Sequence, residues 1–116
     1  SYRLGENKVK EIIDFMDSFN ISKKIDYKLA SYSIRFFRKQ KVSLDYIYEL
    51  LHSESYYRNF AGFYFAKAKM RREDFSSFVK KNKELFHGDI LRTKSYKEAL
   101  AFDIHAKKNS NEKIKK

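Results

Sequence analysis

Proline is missing from all 116 residues, and glycine occurs only at positions 5, 62 and 88. Proline interrupts helix interiors, and sheets need turn-forming residues at regular short intervals. A chain that lacks the first and nearly lacks the second is set up for helices joined by tight polar turns. Strand-like alternation of apolar and polar residues is not found along it. The expectation is an all-α fold, a compact bundle of about five to six short helices.

Apolar periodicity places those helices. The first spans about 6–19, with Val9, Ile12, Ile13, Met16 and Phe19 on one face, Gly5 and Glu6 at its start and Asn20 at its end. A second runs from Ser22 or Asp26 to Lys39. Ile25, Leu29, Tyr32 and Phe36 form one apolar stripe, with Ala30, Ile34 and Phe37 beside it. So wide an apolar arc predicts the central helix of the bundle, showing only its basic face. Ser43 suits the N-cap of a third helix with Leu44, Ile47, Leu50 and Leu51 inward. The fourth spans 55–69 on Tyr57, Phe60, Ala61, Tyr64 and Ala68, where Ala61, Gly62 and Ala66 let a neighbour come close. The fifth starts near Arg72, with Glu73 and Asp74 in its first turn. Its core face is Phe75, Phe78, Val79, Leu85 and Phe86, and Gly88 lies past its end. Asn82 falls inside that stripe and needs a partner, a backbone carbonyl being the expected one. Ser95 to Glu98 reads as a capping box launching a sixth helix on Tyr96, Ala99, Leu100 and Ile104.

Residues 1–106 are expected to form one helical domain, and 107–116 a flexible basic tail where the apolar pattern stops. Residues 29–34 resemble residues 60–65, each followed by basic residues and a turn, which predicts two stacked α-hairpins. Hydrophobic residues make up 42% of the chain, and eleven Phe and nine Tyr carry much of that, so the core should be aromatic.

The formal net charge is +11, far more than solubility requires, and implies a polyanionic partner. The charge is clustered. Arg35, Arg38, Lys39 and Lys41 form one group. Lys67, Lys69, Arg71, Arg72, Lys80, Lys81 and Lys83 form a second, and the tail lysines a third. Outside these groups the chain is close to neutral. The first two groups follow helix C-terminal ends, so side-by-side hairpins would merge them into one electropositive surface for phosphates. The candidate binding residues are Arg35, Arg38, Lys39, Lys41, Lys67, Lys69, Arg71, Arg72, Lys80 and Lys83. Tyr48, Tyr56 and Tyr57 lie near them and are candidates to stack on unpaired bases.

Catalytic signatures are missing. His52, His87 and His105 are far apart and lack a metal-ligand spacing, no glycine-rich phosphate loop exists, and there is no cysteine. No enzyme activity, cofactor or metal is expected. The segment 44–51, a turn at 52–54 and the following helix have helix-turn-helix lengths. The would-be recognition helix carries Arg58 and Asn59 and then an almost wholly apolar run, which suits a buried helix better.

The leading expectation is therefore a non-catalytic accessory protein binding DNA or RNA through backbone phosphates. The alternative is a helical protein–protein adaptor or inhibitor for an acidic partner, anchored by Tyr2, Tyr27, Tyr48 and Tyr56. A weaker one is membrane attachment by the basic tail, which a single polybasic signal supports only marginally. No leader-like or membrane-spanning stretch is read in the sequence, so an intracellular, cytoplasmic setting is expected.

Overall fold

A computed structural model describes residues 4–19 and 27–102, Tyr27 by its backbone only. These residues form six α-helices and two 3₁₀ turns. The helices are α1 (Glu6–Asp17), α2 (Tyr27–Lys39), α3 (Leu44–Leu51), α4 (Tyr56–Lys69), α5 (Arg72–Lys81) and α6 (Lys94–Ala101). The 3₁₀ turns, Lys83–Leu85 and Gly88–Arg92, join α5 to α6. Among the described residues there is no strand, and the fold is the all-α bundle expected from the missing prolines.

α4 is the axis of the bundle. Tyr57, Asn59 and every residue from Phe60 to Ala66 are buried. A helix without a polar stripe needs neighbours on all sides. It has them: α3 packs most closely, α2 lies on another flank, and α1, α5 and the second 3₁₀ turn complete the coat. Gly62 makes the close approach of α3 possible. A Cβ there would stand 2.9 Å from Leu51 Cδ2 and 3.1 Å from Leu50 Cβ. Ala61 and Ala66 are fully buried alongside it, as small residues at a tight helix contact should be.

The central position expected for α2 belongs to α4 instead. Of α2's described side chains only Ser33 and Phe37 are buried, and Tyr32 is 72% exposed. Phe37 enters the aromatic core, 4.6 Å from the Phe65 ring, with Tyr57 and Phe60 nearby. A second aromatic group centres on Phe63, against Phe75, Phe86 and Tyr96. The two similar segments do not build stacked hairpins. α3 joins α4 across the expected boundary, and α5 pairs with α6.

Helix ends follow local chemistry. Ser43 caps α3 by accepting from Tyr46 N–H at 3.2 Å, as its position predicts. Leu44 is 41% exposed, and Tyr46 takes the inward place expected of it. α1 stops at Asp17, earlier than its periodicity suggests, and leaves Phe19 66% exposed. α5 stops at Lys81 with Asn82 as its C-cap, whose Nδ2 donates to Phe78 C=O at 2.8 Å. Leu85 and Phe86 then reach the interior through the 3₁₀ turn rather than on α5. α6 is capped by Thr93, which accepts from Tyr96 N–H, and not by Ser95. Thr93 closes the preceding 3₁₀ turn through Ile90 C=O, so it is already fixed where the helix starts. The expectations at Asn20, Ser22, Ile25, Asp26, Ile104, His105 and the 107–116 tail lie outside the described residues.

Candidate nucleic-acid interface

The amino end of α4 is a closed polar network. Ser55 caps the helix and donates to Asp17 Oδ1 at 2.6 Å. Arg58 donates from Nε to Asp17 Oδ2 at 2.8 Å and from Nη2 to Asp14 Oδ1 at 2.7 Å, tying α1 to α4. Burial pulls the guanidinium down, and the bonds to Asp14 and Asp17 outweigh that and hold it above its usual value. Asn59 is fully buried. Its Nδ2 donates to Leu51 C=O and Leu85 C=O, both at 2.8 Å, and its Oδ1 accepts from His87 N–H at 3.3 Å. Both side chains are engaged within the fold, and the helix they open is buried along most of its length.

The carboxyl end of α4 is different. Met70 and Arg71 are extended, which breaks the helix and starts α5. Lys67 and Lys69 occupy the last turn of α4, and Arg38 and Lys39 the last turn of α2. The turn after α2 is anchored by Gln40, whose Oε1 accepts from Leu4 N–H at 2.8 Å, and by Val42 C=O, which accepts from Lys69 Nζ at 3.1 Å. The ends of α2 and α4 thereby meet around a groove of about 440 Å³ that carries Arg38, Lys39, Lys41 and Lys69 on its rim. Gln40, Val42, Phe65 and Ala68 complete its lining, and no carboxylate belongs to it.

A second hollow of about 310 Å³ holds Lys67 and Arg72 with Glu98 and Phe102. Here the cations are engaged. Lys67 Nζ donates to Ser95 Oγ at 2.7 Å, Arg72 lies 5.0 Å from the Phe102 ring centre, and Lys80 Nζ donates to Phe102 C=O at 2.6 Å.

The ten candidate cations thus divide. Arg38, Lys39, Lys41 and Lys69 share the first groove, so residues of both sequence clusters come together there. Lys67 and Arg72 line the second hollow, and Lys80 bonds the carbonyl of Phe102, which also lines it. Arg35 stands exposed on α2, and Arg71 is exposed in the link between α4 and α5. Lys83 goes the other way: its 3₁₀ turn ends at Leu85, which Asn59 holds near the amino end of α4. Among the described residues none of the ten forms an ion pair, whereas Lys8, Lys10 and Arg58 do.

The tyrosines expected to stack on bases are occupied. Tyr57 is fully buried, hydrogen-bonded to Ser33 Oγ at 2.8 Å, and burial pushes its hydroxyl up to about 12. Tyr48 is half-buried against Phe78, and Tyr56 packs on His87, 4.6 Å between ring centres. The same contacts weaken Tyr48 and Tyr56 as adaptor anchors. Among the described residues the exposed aromatics are Phe15, Phe19 and Tyr32, and the anchors expected at Tyr2 and the Tyr27 side chain lie outside the described structure. Sequence periodicity missed Tyr32, because it falls on an apolar stripe.

His52 Nδ1 lies 2.7 Å from Tyr48 C=O, a local contact at the end of α3. Among the described residues no group of three or more His, Cys, Asp or Glu is placed to hold a metal ion, and no helix is long and apolar enough to cross a membrane. No protein-family model, curated protein or solved structure matches this chain.

Proposed function

We propose that the chain is a non-catalytic accessory protein that binds nucleic acid through backbone phosphates, with the groove between the ends of α2 and α4 as its centre. One observation carries this reading: four cations from two separate sequence clusters surround a groove that has no carboxylate in its lining. Cations at helix C-termini are stabilised by the dipole, by about 0.3–1 kcal/mol each, which accounts for Arg38, Lys39, Lys67 and Lys69 without any ligand. It does not account for Lys41, which lies beyond the end of α2 and still faces the same groove. Like charges held together repel, and a phosphate chain relieves that repulsion while releasing its counterions. Such contacts give affinity and steering with little sequence preference. A cytoplasmic setting, where DNA and RNA are both met, accompanies this reading.

The test is fluorescence anisotropy of the full chain with labelled single-stranded and duplex DNA and RNA over a range of salt. Binding of about micromolar strength or tighter, with a log–log salt slope of about −4 to −8, is expected. Arg38→Glu combined with Lys41→Glu should weaken binding about 100-fold at physiological salt while leaving the thermal midpoint in place. Unchanged affinity in that variant contradicts the proposal.

A further inference from the structure

Among the described residues α2 is held chiefly by one face. Ser33 bonds Tyr57, Phe37 packs on Phe60 and Phe65, and Ala30 and Ile34 border Phe60 and Tyr64. Successive helical residues are turned by about 100°, so the opposite face can be read directly. Lys28, Tyr32, Arg35 and Lys39 fall there within an arc of about 60°. All four are exposed, Tyr32 at 72%. Lys28 lies four residues before Tyr32 and Arg35 three after it, so each is an immediate neighbour of the ring on the helix surface. Lys39 continues the stripe into the groove it shares with Arg38, Lys41 and Lys69.

An aromatic ring set between cations along a helix offers two kinds of contact at once. Unpaired bases present π-faces that stack on such a ring whatever their sequence, and the flanking phosphates meet the cations. A duplex keeps its bases stacked inside and presents phosphates alone. We infer that the outer face of α2 is a track for single-stranded nucleic acid, on which Tyr32 stacks an unpaired base and Lys28, Arg35 and Lys39 hold the neighbouring phosphates. This rests on the phosphate-binding reading above and narrows its substrate to strands with exposed bases.

The experiment compares the full-length wild type, Tyr32→Ala and Tyr32→Phe on three probes at one salt concentration. These are an oligothymidylate of about 15 nucleotides, a duplex of equal length, and inorganic polyphosphate of matched charge. Tyr32→Ala should weaken single-strand binding between about five-fold and a hundred-fold, and change duplex and polyphosphate binding less than about two-fold. Tyr32→Phe keeps the ring and should keep the affinity. Tyr32 contributes nothing to the core, so the thermal midpoint should not move. If Tyr32→Ala binds all three probes as the wild type does, or loses all three equally, the track is wrong although phosphate binding stands. If the wild type binds none of the probes even at low salt, the phosphate-binding reading falls and the track with it.

Discussion

At the amino end of α4, Arg58 sits between Asp14 and Asp17, Ser55 bonds Asp17, and the amide of Asn59 has a partner for every bond it makes. At the carboxyl end, Lys69 reaches only the carbonyl of Val42, and Arg38, Lys39 and Lys41 stand around the same groove with no carboxylate among them. The one helix therefore handles charge in two ways. Arg58 at one end is matched by two acids, whereas the four cations at the other share a groove whose lining holds no carboxylate. A cluster of basic residues is informative only after its internal partners have been subtracted, and that subtraction separates Arg58 from the groove.

If this contrast is right, substitutions at the amino end should cost stability and those at the carboxyl end should not. The largest effect is expected for Asn59→Leu, which strips partners from Leu51 C=O, Leu85 C=O and His87 N–H at once. It should destabilise the chain by about 3 kcal/mol in urea unfolding. Arg58→Gln leaves Asp14 and Asp17, three residues apart on α1, without their cationic partner on α4 and should cost about 1–2 kcal/mol. Arg38→Gln with Lys41→Gln, the matching change at the other end, should stay within about 0.5 kcal/mol of the wild type. Equal losses at both ends would erase the distinction.

The smallest effect concerns acid. Glu6 accepts from the backbone N–H of Ser43, which, with lesser help from Ser43 Oγ and Lys10, holds its carboxyl below the usual 4.5. A carboxyl depressed in the folded state contributes stability above its ordinary value and loses it as pH falls through the depressed one. The stability gap between wild type and Glu6→Gln should therefore be fully present above the ordinary 4.5 and shrink as pH falls through the depressed value. Glu6 is only half-buried and its carboxylate keeps contact with water, so the gap is small. A gap that widens on acidification would reverse the assignment.

Much of this was legible in the sequence. Missing proline and scarce glycine are backbone constraints, and they act whatever the tertiary packing, so the helices fall close to where periodicity puts them. Ser43 acts as the cap its position predicts because its contact with Tyr46 N–H is settled within one turn. α2 failed for the opposite reason. It carries two adjacent apolar stripes, and nothing within α2 decides which one is buried. The decision belongs to α4, whose run from Phe60 to Ala66 leaves no side for solvent and takes the central place. α4 draws in Ser33 and Phe37 and leaves Tyr32 outside. Thr93 replaced Ser95 as a cap because the preceding 3₁₀ turn, which no periodicity announces, had already fixed it. The two basic groups were expected to merge at one end of a bundle of hairpins, and of the ten candidates Arg38, Lys39, Lys41 and Lys69 share a groove. It forms without those hairpins, through Lys69 and the turn after α2.

The most direct measurement is the salt dependence of oligothymidylate binding for three proteins: wild type, Arg38→Gln with Lys41→Gln, and Lys8→Gln with Lys10→Gln on α1, whose lysines are paired with Glu11 and Glu6. Each phosphate of a single strand that the protein no longer neutralises should reduce the log–log slope by about 0.7, so the groove variant should be shallower by about 1.4 and the α1 variant unchanged. Equal slopes for all three, or equal reductions in both variants, would mean that the groove is not where the phosphates bind.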